Sequence, residues 1–265
     1  MSANGAGGLV LSLFPGVGLF DMAFELEGYC VVRGPDSLWG GDVQTFQPPA
    51  GKFDGVIGGP PCQRFSSMSN IVRARYGEGA LAPDLIPEFA RIVDAARPLW
   101  YVMENVRHAP LPSTPGYTST NLLLNARSFG MAQNRARRFT FGVRGEYPVS
   151  LLAHVEFPSV FENPKFEYAV LGGRGRGGVG LKFDRGGIPI KQYRRDRRDR
   201  QNKRTTAEVA ELQGLPRDFL DGAPLTAHGK QQALANGVPL ALGRAIARAV
   251  NKAFEARSAA WREAG

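Results

Sequence analysis

The chain has 265 residues, 43% of them hydrophobic, enough for one sizeable α/β domain with its own core, or for one domain and a small appendage. No stretch approaches the roughly 18 uninterrupted apolar residues of a membrane span. Met1 to Gly8 lacks the basic and apolar regions of a signal peptide, so a cytoplasmic protein is expected. The net charge of +9 favours a polyanionic partner, because each Lys or Arg laid along phosphates releases counterions. That charge is concentrated between Arg185 and Arg204, whereas the first half is close to balanced.

Gly8 to Leu13 is a short apolar run bounded by glycine, expected as a fully buried strand. The turn Phe14-Pro15-Gly16-Val17-Gly18 follows, and Leu19 to Glu27 then places Leu19, Met22, Ala23 and Leu26 at helical spacing up to Gly28. Tyr29 to Val32 and Phe53 to Ile57 are expected as further buried strands, Leu85 to Ala96 as an amphipathic helix stopped before Pro98, and Leu99 to Met103 as the next strand. This alternation predicts a doubly wound, mostly parallel sheet. Thr118 to Asn125 and Arg137 to Val143 leave no room for a crossover helix and are expected as an antiparallel edge. Gly145 to Lys203 is rich in Gly, Pro and Arg, with a low-complexity piece at Gly172 to Gly178 that is expected to be flexible without a partner. Helical periodicity returns at Thr206 to Gln213 and from Leu240 to Phe254. The division expected is 1–144 as the main domain, 145–203 as a small irregular region, and 204–265 as helices returning to the main domain.

Two cysteines are present, Cys30 in an expected buried strand and Cys62 in a Gly/Pro loop, so both are expected to be free. Neither has a Cys or His neighbour at metal-ligand spacing, and no metal site is expected. A strand, a glycine turn and a helix form the architecture in which a nucleotide-like ligand approaches backbone at a helix N-terminus. The fuller Gly-x-Gly-x-x-Gly fingerprint is broken by Asp21, and a purely structural turn is the alternative. Asp36 and Asp42 are the acids on the same edge that can meet ribose hydroxyls.

Sharper is Gly58-Gly59-Pro60-Pro61-Cys62-Gln63-Arg64-Phe65-Ser66, which directly follows a buried strand. Its prolines fix where the thiol points, and its position is the crevice at the carboxyl ends of the strands. Glu104-Asn105 ends the next strand, and a desolvated carboxylate there would have a raised pKa and could hold a proton. Gln133, Arg135 and Arg137 are spaced by two, so in an extended segment they share a face suited to an anion or a nucleobase edge. A solvated basic strand is the alternative.

These segments together resemble the DNA cytosine-5 methyltransferase family, through LFPGVG (13–18), GGPPCQRFS (58–66), ENV (104–106), Gly116-Tyr117, LNARSFGMAQNRARRF (124–139), ELQGLP (211–216) and QQALANGVP (231–239). The resemblance implies a Rossmann-like methyltransferase fold, S-adenosylmethionine as methyl donor and double-stranded DNA as partner, with the chain acting as a monomer or with a partner for target recognition. Restriction-modification is one setting for such an enzyme. It implies that Cys62 attacks carbon-6 of a flipped cytosine, Glu104 meets the ring at N3, Arg137 with Arg135 holds the base, Gln63 flanks the vacated space and Asn105 braces the Cys62 loop. Phe14, Pro15, Gly16, Gly18, Asp36, Asp42, Pro60, Asn236 and Val238 would line the donor pocket. Ser66, Arg73, Arg75, Gln133, Arg194 and Arg195 would touch DNA. Arg64 to Ala82 would be a mobile lid, and Gly145 to Lys203 the region that reads the target sequence.

The chain departs from the family where only Arg33 to Gly41 stands in place of a helix, which leaves Asp36 weakly assigned and Trp39 as a stacking alternative for adenine. Pro110, Pro112 and Pro115 likewise exclude a helix after Val106. Two rival functions are methylation of tRNA cytosine and DNA binding without catalysis. A nucleotide-binding oxidoreductase fits the glycine turn but leaves the Pro-Cys-Gln loop unexplained.

Overall fold

The computed structural model describes residues 8–65, 69–145, 149–158, 163, 165–170 and 204–263, without the side chains of 70–72 and 256–263. Ser66, Arg194, Arg195 and the Gly172 to Gly178 piece lie outside the described residues.

Apolar runs with β-branched residues make the central strands, β1 (Leu9–Leu13), β3 (Gly55–Gly58) and β4 (Trp100–Asn105), nearly all of whose residues are buried. With β2 (Cys30–Arg33), β5 (Tyr117–Asn125) and β7 (Ala136–Arg144) they form a six-stranded sheet of order β2-β1-β3-β4-β7-β5. Pairing is parallel from β2 to β4 and antiparallel across β4–β7 and β7–β5. The fold is therefore the expected α/β architecture with an antiparallel edge.

Strand alternation sends Val10, Ile57, Trp100 and Val102 to one face and Leu11, Leu13, Val56, Tyr101 and Met103 to the other. The first face is covered by α1 (Leu19–Glu25) and by α6 (Leu240–Glu263), through Phe20, Phe24, Leu242, Ile246 and Val250. The second is covered by α3 (Ile86–Ala96), through Ile86, Phe89, Ile92 and Val93. Glu27 holds α6 in place, since its Oε1 lies 2.6 Å from Arg244 Nε and 2.8 Å from Arg248 Nη1, and its carbonyl accepts from Asn251.

A third cluster joins Leu19 to α4 (Thr206–Leu212) and α5 (Ala227–Asn236) through Val209, Ala210, Leu215, Leu234 and Ala235. Thr205 and Glu208 form a reciprocal capping box that starts α4. A small second sheet pairs β6 (Gln133–Asn134) with β8 (Glu167–Tyr168), tying the segment before residue 170 to the residues that precede β7.

Several expectations need correction. Cys30 is exposed, because β2 is an edge strand whose residues are largely uncovered. Among its described residues, the segment expected as a lid, Arg64 to Ala82, carries a helix for which no expectation was given, α2 (Ser69–Tyr76), and a short 3₁₀ turn at Glu78–Ala80. Helix α5 has no counterpart among the expected elements. Other readings hold: between β2 and Asp42 there is, as expected, no α-helix but only a 3₁₀ turn, Ser37–Trp39. The proline-rich stretch after β4 is helix-free, and Arg138 pins it by donating to the carbonyls of Ala109 and Pro110. No helix among the described residues is long and apolar enough to cross a membrane.

Candidate active site

Because β1, β3 and β4 are parallel and hydrogen-bonded in that order, the segments that leave them emerge on one edge. Those segments are the glycine turn, the Cys62 loop and Glu104-Asn105. Strand β7 runs the opposite way, so its first residues, including Arg137, arrive at the same edge. Topology thus brings four sequence-distant motifs into one cluster.

Within it Glu104 is 7% exposed, and its Oε1 lies 2.8 Å from Arg137 Nε. Burial pushes the Glu104 carboxyl above its ordinary range, while Arg137 and Arg135 pull it back. The backbone of Gly59 sits against this carboxylate: a Cβ there would be 3.2 Å from Glu104 Oε2. Cys62 is half-buried and free. Its thiol is pushed up by burial and next by Glu104, and is drawn down by Arg137 and Arg135. Ionisation of Cys62 is therefore opposed by burial and one carboxylate and favoured by two guanidiniums.

Asn105 fixes the loop. Its Nδ2 donates to the Pro60 carbonyl at 3.1 Å, and its Oδ1 accepts from Val106 N at 2.8 Å. Gln63 is exposed at the start of a 3₁₀ turn, Gln63–Phe65, beside the cysteine.

Arg135 and Gln133 differ from expectation. Arg135 is 2% exposed, and its Nη1 donates to Val170 O at 3.0 Å. Its Nη2 donates to Ala235 O at 2.6 Å and Gly237 O at 3.2 Å. Only its Nε has no partner among the described residues. Burial pulls its pKa down to about 9, so it stays charged at neutral pH. Arg135 is thus a clamp on three main-chain carbonyls before it is anything else. Gln133 is fully buried, accepts from Val170 N and donates to Leu212 O and Gln213 Oε1. It has no surface to offer DNA, and the expected contact is corrected. The turn that delivers these residues is built by Asn125, whose Oδ1 accepts from the backbone of Arg127 and Arg135.

At the glycine turn, Gly16 and Gly18 have φ of +56° and +81°, and Phe14 has φ +56°. A non-glycine residue in that region costs about 1 kcal/mol or more, and here it sits beside the cluster. Gly18 N donates to the Pro15 carbonyl at 2.8 Å, closing the turn. Asp36 does not stand free toward a ligand: Oδ2 accepts from Gly16 N at 2.8 Å and Oδ1 from Leu38 N at 2.7 Å. Trp39 Nε1 donates to Gly16 O at 2.7 Å, so its largely exposed ring lies on the turn. Asp42 is exposed and caps the backbone of Gln44.

Asp21 is fully buried; Ser12 donates to it at 2.5 Å and Arg33 Nε lies 2.9 Å away. Burial raises its pKa against both partners. The residue that breaks the dinucleotide fingerprint is therefore engaged by Ser12 of β1 and Arg33 of β2. Asn236 ends α5 and is exposed, and Gly237 packs against Leu19, where a Cβ would come within 2.6 Å of its side chain. Val238 is in the main core with Phe20 and Ile246 and contributes packing there.

Arg73 forms an ion pair with Glu78, and the Arg75 guanidinium lies 5.3 Å from the Tyr76 ring centre. Both are held within their own segment. The residues with a structural role that carried no individual reading in the sequence are Ser12, Arg33, Asn125 and Gln213. Of these, Gln213 lies in the ELQGLP run and Asn125 in the LNARSFGMAQNRARRF run, which gave a signal; Ser12 and Arg33 had none.

Residues 9–171 match the family of C-5 cytosine-specific DNA methylases, and the chain belongs to that family. Among curated relatives, the type II methyltransferase M.HgiDI of Herpetosiphon aurantiacus is 30% identical over 165 residues, covering 51% of this chain and 52% of that protein. The type II methyltransferase M.DdeI of Desulfomicrobium norvegicum is 27% identical over 178 residues, covering 53% and 42%. This chain thus matches about half the length of these relatives or less. Solved structures of Spodoptera frugiperda DNMT2 and of the Entamoeba histolytica methyltransferase EhMeth share the fold, with TM-scores of 0.57 and 0.56. Their identities are 15% and 14%; each comparison covers 94% of this chain and 100% and 98% of the other.

Proposed function

We propose that the chain is a DNA cytosine-5 methyltransferase that uses S-adenosylmethionine and attacks its target base through Cys62. The observation that carries this reading is the convergence of a stiffened cysteine loop on the buried Glu104–Arg137 pair. The family match supports it, since that family is of C-5 cytosine-specific DNA methylases, and so do the relatives named type II methyltransferases.

Carbon-5 of cytosine is a poor nucleophile. Addition of the Cys62 thiolate to carbon-6 creates an enamine and makes carbon-5 reactive. Glu104, with its raised pKa, is suited to hold a proton at the ring N3 while that addition occurs. Arg137 keeps the carboxyl oriented and offsets negative charge on the ring. Loss of the carbon-5 proton to solvent, its electron pair forming the carbon-5–carbon-6 double bond as the Cys62 thiolate leaves carbon-6, restores the aromatic ring. The base must leave the stack, because neither ring face is reachable inside a duplex.

The glycine turn fits the donor. Gly16 faces open space, with no atom within 4 Å of where a Cβ would lie, and Trp39 offers an exposed aromatic face beside it. Phe14, Gly16, Gly18 and Trp39 would hold S-adenosylmethionine, with Asp36 and Asp42 near its ribose and adenine and Asn236 at the opposite wall. When bound there, the donor supplies an electrophilic methyl group. We retain 1–144 as the catalytic and donor-binding part, 145–203 as target recognition, and 204–265 as the returning helices.

The test is methyl transfer from labelled S-adenosylmethionine to duplex DNA and to tRNA, side by side. Label is expected in duplex DNA and none with Cys62→Ala. Label in tRNA alone would replace the DNA reading with an RNA one.

A further inference from the structure

We propose that Gln213 and Gln133 are positioning residues that couple engagement of DNA to binding of the methyl donor; the proposal rests on the function given above. The two glutamines are fully buried and, with Arg135, form one polar network inside the third core cluster. Gln133 bonds to the N–H of Val170 at 3.1 Å, and Arg135 bonds to its carbonyl at 3.0 Å. Val170 therefore has both main-chain groups gripped. It closes the described part of the segment assigned to target recognition, which Arg127 also anchors through the carbonyls of Asn163 and Lys165.

From Val170 two routes lead to the donor side. Arg135 donates to Ala235 and Gly237. Gln133 donates to Gln213 Oε1 at 3.1 Å, and Gln213 Nε2 in turn donates to Leu234 and, at 3.2 Å, to Gly237. Gln213 also accepts Leu240 N through its carbonyl, at the start of α6. Both routes end on the Gly237 carbonyl, and Gly237 is packed on Leu19, one residue past the glycine turn. Buried polar groups have no water to fall back on. A shift of Val170 on DNA must be transmitted to the junction between α5 and α6, residues 234–240, or break bonds inside the core. Linkage makes the effect reciprocal, so the donor must tighten DNA binding by the same factor.

S-adenosylhomocysteine, the demethylated product, serves as a probe that permits no turnover. Its dissociation constant is measured by calorimetry on the full chain, alone and saturated with a long mixed-sequence duplex. The expected coupling is about tenfold, within the usual range of such linkages. Gln213→Met and Gln133→Met, which keep side-chain length, are each expected to cut that factor by about threefold or more while leaving the DNA-free dissociation constant within about twofold. In the unaltered chain, DNA without donor should slow amide exchange at Gly237 and Leu240, a readout that needs no variant. Independent binding of the two ligands by the unaltered chain overturns the proposal, as does unchanged coupling in both variants. An equal loss of affinity with and without DNA makes the glutamines purely structural and also overturns it. Failure of the chain to bind the probe at all overturns the functional reading as well.

Discussion

At the scale of single residues, the cluster is an electrostatic device built around one thiol. Burial and Glu104 oppose ionisation of Cys62, and Arg137 and Arg135 favour it. Replacing Glu104 by Gln removes a nearby negative charge, so the thiolate should form at lower pH. Replacing Arg137 by Ala removes a positive charge, so it should form at higher pH. The pH dependence of alkylation by iodoacetamide reports both, and coincident profiles would show that Cys62 is not governed by this pair. Asn105→Ala should cost about 1–3 kcal/mol in denaturant unfolding, because it strips the buried Pro60 carbonyl of its donor. It should also slow methyl transfer more than this stability loss accounts for, since the Cys62 loop is freed. Cys62, Glu104, Asn105 and Arg137 were readable as motifs, because side-chain chemistry at a strand end is local information. Arg135 and Gln133 were readable only as residue types. Their partners, Val170, Gly237 and Gln213, are up to 102 positions away, and no spacing rule predicts which side chain of an alternating set will be consumed by main-chain carbonyls.

Among the elements, the buried strands and α1, α3 and α6 followed from apolar runs and helical spacing. Helix α5 escaped because only Leu234 and Ala235 are buried in it, and its remaining residues are mostly polar or small, with no stripe to read. The exposure of β2 escaped because an apolar run does not reveal whether a strand has one neighbour or two. Close packing between neighbouring strands was also invisible. A Cβ on Gly55 would lie 2.2 Å from the ring of Trp100, which itself stacks on Phe24 and meets Phe254 of α6. Gly55→Ala should therefore destabilise by about 1–3 kcal/mol through overpacking. Thermal or denaturant unfolding measures it, and a neutral outcome would mean the ring can move aside within the core.

The whole molecule places three tasks on one rim of one sheet. The parallel strands present the glycine turn, the Cys62 loop and Glu104, to which the proposed function gives the donor, the nucleophile and the acid; the antiparallel edge returns the arginines, and Arg135 ties it to Gly237 after residue 204. Charge alone pointed toward a polyanion but not toward a reaction. The proposed reaction rests on the convergence at Cys62, so its most direct test is covalent capture. The protein is incubated with S-adenosylmethionine and duplex DNA containing 5-fluorocytosine, in which fluorine blocks the loss of the carbon-5 proton. A denaturation-resistant protein–DNA complex is predicted, dependent on the donor and absent with Cys62→Ala. Folded, donor-binding protein that gives no such complex across a mixed-sequence substrate, or gives it equally with Cys62→Ala, would contradict Cys62 as the nucleophile.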